Sequence, residues 1–428
     1  MTVDPALHAL PISDRPPKKW RQTVNAILFA FLFIFPFLIA QSCQMVFMLP
    51  LLLFPFAGSR NLYDEGVRYT KGSFATLIVL LNQCFAPTRL SVTFEREGQG
   101  CFSEEQINHI VVRNTEGKVI ALKLPTKSIL IANHQMYADW WYAWCLTYFM
   151  GTHKDVFIVL KRSLKWIPII GWAMQISKFI FLAPSRASDR VELVSQLSAL
   201  GQQAERQNKP FTLFLYPEGT LVSKLTRPIS KKFADKMGIP DMTNTLLPRS
   251  TGLHYSLRTL APCMPTLQLL DITTVYPGDI HFATGIPPMK YGQSYYTLRS
   301  IFFDGVPPPV IHMHLRIFDV GRDVPIGDIS ISNNKVDIKK HDKRRAVELD
   351  FPDEEKERFD LWVRDLWQDK DDLIVKFHET GSFVAQKEGT CVIIPLELRQ
   401  KREICYAFCL YLPALVVFVF AGSIFFLL

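Results

Sequence analysis

Residues 128–139 read Ser128-Ile129-Leu130-Ile131-Ala132-Asn133-His134-Gln135-Met136-Tyr137-Ala138-Asp139, and residues 211–220 read Phe211-Thr212-Leu213-Phe214-Leu215-Tyr216-Pro217-Glu218-Gly219-Thr220. Each begins with a short apolar run rich in β-branched and aromatic residues and then turns polar. Runs of this length bounded by breakers predict buried strands rather than helices. The same pattern recurs at Val156–Leu160, Phe179–Leu182, Leu269–Tyr276 and Val310–Phe318. Helical stretches lie between them. Asp139–Met150 is dense in Trp and Tyr, and Val191, Val194, Leu197 and Leu200 recur at helical spacing within 189–208. Strands alternating with helices predict an α/β fold, with a mixed, mostly parallel sheet flanked by helices.

Outward from this core the chain becomes apolar. Residues 26–58 are almost wholly apolar, interrupted by Gln41-Ser42-Cys43-Gln44 and by Pro36, Pro50 and Pro55. A single span needs about 20 residues, so the run predicts an N-terminal membrane hairpin, re-entrant or just spanning. Arg15, Lys18, Lys19 and Arg21 before it and Arg60 after it place both ends on the cytosolic side. Residues 70–85 read as an interfacial or packed helix. Residues 405–428, preceded by Lys401 and Arg402, predict a C-terminal transmembrane helix. Residues 161–180 mix Lys and Arg with Trp, Ile and Pro. They fit either an interfacial segment or a connector packed in the core.

Five regions follow: a basic cytosolic N-terminus at 1–22, a membrane-embedded hairpin and interfacial helix at 23–90, an α/β domain at 91–320, a charged linker with an accessory helix at 321–400, and the C-terminal helix at 401–428. In the accessory helix, Phe359, Trp362, Leu366 and Leu373 fall on one face. The basic run Lys339–Arg345 fits a solvated segment or a contact with anionic lipid.

The 428 residues are 48% hydrophobic and 21% charged, with a formal net charge of +8. Zinc-finger spacing, basic zippers and RNP-like aromatic patterns are all missing, so the surplus points to lipid or phosphate and not to nucleic acid. The eight cysteines form no CxxC pair, and no Asn-x-Ser/Thr sequon occurs. Both features suit a reducing compartment and a domain facing the cytosol.

The chemistry sits where the two quoted strands end. His134 with Asp139 five residues on is suited to base catalysis, since a carboxylate on one ring nitrogen leaves the other free to accept a proton. Residues five apart on a helix do not share a face, so His134 must lie outside any helix that starts at Asp139. Taken alone, such a pair is more often structural. In the second segment, Pro217 stops the strand, Gly219 allows close approach of the backbone, and Glu218 and Thr220 offer an acceptor and a hydroxyl. Taken alone, that is an ordinary strand-ending turn.

In combination, NH-x4-D followed about 80 residues later by PEGT resembles the glycerolipid acyltransferase family, over roughly residues 120–280. The segment Leu247-Pro248-Arg249-Ser250-Thr251-Gly252 resembles the eukaryotic branch of lysocardiolipin and lysophosphatidylinositol acyltransferases and fungal phosphatidylinositol-remodelling enzymes. The resemblance implies a catalytic pair in His134 and Asp139, with Asn133 beside it. It implies acceptor binding by Glu218, Gly219 and Thr220, and a substrate-binding role for Pro248. Relatives often carry F-x-x-R after the strand at 179–182. Here Phe181-Leu182-Ala183-Pro184 puts proline there, and Arg186 is the expected replacement for the phosphate contact.

The implied reaction moves an acyl chain from acyl-CoA to a lysophospholipid, lysophosphatidylinositol by branch resemblance or lysophosphatidate as the alternative. His134 would act directly as base, with no acyl-enzyme. The partners are acyl-CoA, lysophospholipid and membrane lipid. No cofactor or metal is implied, since His312 and His314, on one face of a strand, lack a third ligand. The expected location is the endoplasmic reticulum membrane or lipid droplets. A hydrolase would need an activated nucleophile, and no G-x-S-x-G elbow is present. A non-catalytic lipid-binding protein is the rival of a different class.

Overall fold

The computed structural model describes residues 7–182, 187–277, 291–328, 352–383 and 391–411. Arg186, the basic run 339–345 and residues 412–428 of the expected C-terminal helix lie outside them. The strands are β1 (Arg89–Phe94), β2 (Val111–Arg113), β3 (Val119–Leu122), β4 (Lys127–Ala132), β5 (Val156–Lys161), β6 (Ile180–Leu182), β7 (Phe211–Leu215), β8 (Gln268–Val275), β9 (Val310–Asp319) and β10 (Cys391–Pro395). Apart from the β2–β3 pair, they form one sheet in the order β10-β1-β9-β8-β4-β7-β5-β6. From β8 to β6 neighbouring strands are parallel. β9 runs antiparallel to β8, β1 parallel to β9, and β10 antiparallel to β1. This is the mixed, mostly parallel α/β sheet expected from the strand–helix alternation.

The helices are α1 (Trp20–Cys43), α2 (Ala57–Phe85), α3 (Glu104–Ile110), α4 (Asp139–Met150), α5 (Ile170–Ile176), α6 (Ala187–Arg206), α7 (Arg227–Met237), α8 (Ser250–Leu260), α9 (Gly292–Tyr295), α10 (Asp353–Thr380) and α11 (Glu403–Ala407). Two apolar layers result, one on each face of the sheet. On one, Ile78, Leu81, Trp141, Tyr142 and Phe149 of α2 and α4 bury against Leu130 and Phe214. On the other, Leu197 and Leu200 of α6, Leu253 and Leu257 of α8, and Phe359, Val363 and Trp367 of α10 bury against Ile129, Ile131 and Leu213. Alternate residues of β4 thus point to opposite layers, as a strand covered on both faces requires.

The N-terminal apolar region departs from the expected hairpin. Trp20–Leu53 is one continuous helical run, long and apolar enough to cross a membrane, and only 17% of its most apolar window is buried. The expected break at Gln41–Gln44 is not a turn. Gln41 Nε2 donates to Gln44 Oε1 at 2.7 Å and Gln44 Nε2 to Thr70 Oγ1 at 2.7 Å, so the polar pair is linked to α2 inside the packing. The chain reverses instead around residues 54–56, and α2 returns antiparallel to α1, with Phe33 against Phe74 and Met48 beside Gly66. The short helix expected at 70–85 is the second half of α2. It is buried on the domain, with Ala75, Ile78 and Val79 fully inaccessible.

Candidate active site

β4 and β7 are adjacent and parallel, with Ile131 opposite Leu215. Their C-terminal ends therefore bring residues 133–139 and 216–220 side by side, where open α/β sheets place ligands. Helix α4 begins at Asp139, so His134 lies in the loop before it. The ring folds back and His134 Nδ1 lies 2.7 Å from Asp139 Oδ2. The same oxygen accepts from the backbone N–H of Gln135 at 2.8 Å and of Met136 at 3.1 Å. Asp139 Oδ1 accepts from the Tyr276 hydroxyl at 2.6 Å. A carboxylate only accepts, so Nδ1 carries the proton and Nε2 presents its lone pair. Asp139 is buried, whereas the His134 side chain is 21% exposed and its ring lies tilted against Tyr216 at 4.6 Å between centroids.

Asn133 is fully buried. Its amide donates to Thr274 O at 2.9 Å and accepts from Thr274 N at 2.7 Å. It pins the end of β4 to β8, which places it as a fastener of the loop. Glu218 is likewise a fastener. Its Oε1 accepts from His134 N at 3.1 Å and from Trp367 Nε1 at 3.4 Å, and its Oε2 accepts from Leu246 N at 3.2 Å. Burial pushes this carboxyl up to about 8, against the pull of those donors. Both oxygens are engaged by the protein, so Glu218 holds the histidine loop to the 246 loop. Gly219 adopts φ 71°, which favours glycine, and the Arg249 side chain lies 3.6 Å from where a Cβ would stand. Thr220 is half-buried beside it, and Val222 N donates to His134 O at 2.9 Å. Pro248 is buried, and the exposed Arg249 donates its N–H to Pro217 O at 2.7 Å.

Sequence reasoning missed three residues that shape this site from α10 and the end of β8: Trp367 and Asp371 on the helix, and Tyr276 just after the strand. Asp371 accepts from the backbone N–H of Thr243, Asn244 and Thr245 at 2.7–2.8 Å. It thereby gathers the loop that leads into Pro248. The neighbouring Lys370 is fully buried and pairs with Asp271 at 2.7 Å, which Arg316 also binds at 2.9 Å. The partners of Trp367, Asp371 and Tyr276 lie 126 to 149 residues away in sequence, so no local spacing announces them. Arg249 lies in the Leu247–Gly252 segment, where spacing alone assigns it no role. His314, buried on β9, lies with Nδ1 3.0 Å from Thr93 Oγ1 and Nε2 3.1 Å from Glu95 Oε2. Burial pushes His312 down to about 4.

Residues 113–274 match the family model described as Acyltransferase, and residues 330–405 the model described as Acyltransferase C-terminus. The chain is similar to the 2-acyl-1-lysophosphatidylinositol acyltransferase of Saccharomyces cerevisiae, 31% identical over 354 residues, covering 76% of this chain and 78% of that protein. It is similar to an uncharacterized acyltransferase of Schizosaccharomyces pombe at 31% identity over 362 residues, with 85% and 88% covered. The chain belongs to the glycerolipid acyltransferase family. A more distant member, lysocardiolipin acyltransferase 1 of Danio rerio, is 30% identical over 271 residues, 63% of this chain and 58% of that protein. As an acyltransferase, the chain places its two family motifs at the ends of β4 and β7, and the matched C-terminal region supplies α10, which locks them together.

Proposed function

We propose that this acyltransferase moves a fatty acyl chain from acyl-CoA to the free glycerol hydroxyl of a lysophospholipid, lysophosphatidylinositol foremost. The observation that carries the reading is the His134–Asp139 pair, held at 2.7 Å with the carboxylate fixed by three further donors. The hydroxyl oxygen attacks the thioester carbonyl carbon as His134 Nε2 takes its proton. The C–S bond then breaks, and the imidazolium returns that proton to the departing thiolate of CoA. A base in this position contributes about 10²–10⁴-fold. Asp139 keeps the ring in the required tautomer and steadies its positive charge. Glu218 and Asn133 position the loop and do not touch the acceptor. Arg249, exposed beside Gly219, is the cation available to the acceptor phosphate. Arg186 remains a second candidate for that contact.

Membrane attachment is supported by the outward face of α1, where Val24, Ile27, Phe31 and Ile34 are exposed, and by exposed Trp166 and Trp172. Exposed tryptophans suit a bilayer interface. We place the enzyme at the endoplasmic reticulum membrane, or lipid droplets, with the α/β domain on the cytosolic side. The test is purified protein supplied with labelled acyl-CoA and a panel of lysophospholipids. Label in phosphatidylinositol supports the reading, and label in phosphatidate points to the lysophosphatidate alternative. Label only in free fatty acid favours hydrolysis and contradicts it.

A further inference from the structure

A second polar site lies at the other end of the sheet. The segments leading into β5, β6 and β7 and the first half of α2 enclose a cavity of about 60 Å³, room for several waters. Ser128 of β4 is level with Val156 across β7. His134 is six residues further along, so the cavity stands roughly 20 Å from the catalytic pair at about 3.3 Å per residue.

Lys71 of α2 lines this cavity and is buried. Its Nζ donates to Val156 O at 3.0 Å and lies 4.2 Å from the centre of the Phe157 ring. Among the described residues no carboxylate is within ion-pair distance of it, and burial pushes it down to about 7. A buried ammonium without a counterion is costly. The surrounding charge does not remove the surplus. Arg68 pairs with Asp155 at 2.6 Å, Lys178 with Asp64 at 2.6 Å, and Lys209 with Glu65. Among the described residues, that leaves Lys71 and Lys154 with no carboxylate at ion-pair distance. Two buried acceptors, Asp155 Oδ2 and Gln207 Oε1, have no donor. The cavity therefore offers two cations and two acceptors to a ligand.

We propose that this cavity binds a phosphate group carried by a hydroxyl-bearing molecule. The phosphate oxygens meet Lys71 and Lys154, and a neighbouring hydroxyl donates to Asp155 Oδ2 or Gln207 Oε1. A membrane source is within reach. Val67, which lines the cavity, clusters with Tyr63 and Ile176, and Met48 and Leu51 of the apolar N-terminal run pack on that cluster. A polyol-phosphate headgroup at the bilayer surface and a soluble polyol phosphate offer the same chemistry.

The experiment measures binding to the full chain in detergent with inorganic phosphate and sn-glycerol 3-phosphate. A parallel arm uses phosphatidylcholine vesicles with and without phosphatidylinositol. The parent is expected to bind at least one probe saturably. Lys71→Met and Lys154→Gln are each expected to weaken that binding about tenfold or more, the loss of one charge-assisted hydrogen bond. Lys154 is partly exposed, so its variant keeps the test open if Lys71→Met fails to fold. Saturation by the soluble probes assigns a free ligand, and saturation by phosphatidylinositol vesicles alone assigns a lipid headgroup. Arg249→Ala, which removes the cation beside Gly219, is expected to bind the probes as the parent does, which separates this cavity from the acceptor site. Unchanged affinity in both lysine variants, or no saturable binding of any probe by the parent, would overturn the proposal.

Discussion

Asp139 receives four hydrogen bonds, from His134 Nδ1, two backbone N–H groups and the Tyr276 hydroxyl. Asparagine at this position can keep its amide oxygen toward the histidine and turn its NH₂ toward Tyr276, whose hydroxyl can accept. The fold is therefore expected to survive Asp139→Asn. What is lost is the charge on the bond to the imidazole, worth about 1–2 kcal/mol, or roughly tenfold in rate. Steady-state kinetics should show kcat at least about tenfold lower, with KM near the parent value. Glu218 makes a different prediction. Its proton is held up to about 8 in the folded chain, against an ordinary value near 4.5. The native state therefore binds more protons than the unfolded one between those values, so stability falls as pH rises through that window. Glu218→Gln removes that contribution. Thermal midpoints of both proteins from about pH 5 to 8 should show the parent declining more steeply. The pair at 134 and 139 was legible because its spacing is local. The engagement of both Glu218 oxygens was not, because Leu246 and Trp367 reach it from distant segments.

At the scale of elements, α10 decides how tightly the site is assembled. Sequence periodicity placed its apolar face correctly at Phe359 and Leu366, which are buried, while Trp362 and Leu373 flank the packing. Among its charged residues, Asp371 caps three consecutive backbone N–H groups of the loop at 243–245, a partner that spacing within the helix does not reveal. Asp371→Ala leaves those donors without their acceptor, at about 1–3 kcal/mol for each that stays buried. The expected result is a lower thermal midpoint together with a raised KM for the lysophospholipid, since the loop carries Pro248 and Arg249. Arg249→Ala tests the second part alone. It should raise acceptor KM several-fold while the midpoint and the acyl-CoA KM stay put. The six expected strands appear within a residue or so because buried parallel strands need continuous apolar runs. β1 escaped notice because Ser91 and Thr93 interrupt its apolar run.

For the whole molecule, one polar cluster ties the C-terminal helix to the centre of the sheet. Asp271 of β8, Arg316 of β9 and Lys370 of α10 meet in the interior. Lys370→Met leaves Asp271 with a single cation and is expected to destabilise by about 3–5 kcal/mol, read as a shift in denaturation midpoint. The α/β class and the apolar N-terminus were legible from the chain. The path of the N-terminal run was not, because Gln41 and Gln44 look like a turn until Thr70 is brought beside them. On the proposed mechanism, the imidazole at 134 removes the acceptor's proton at the mouth of β4. The most direct test compares His134→Ala with the parent, both folded and membrane-inserted, on labelled acyl-CoA and lysophosphatidylinositol. The predicted result is a fall in kcat of about 10²–10⁴-fold with binding of both substrates retained. Esterification at the parent rate would contradict it.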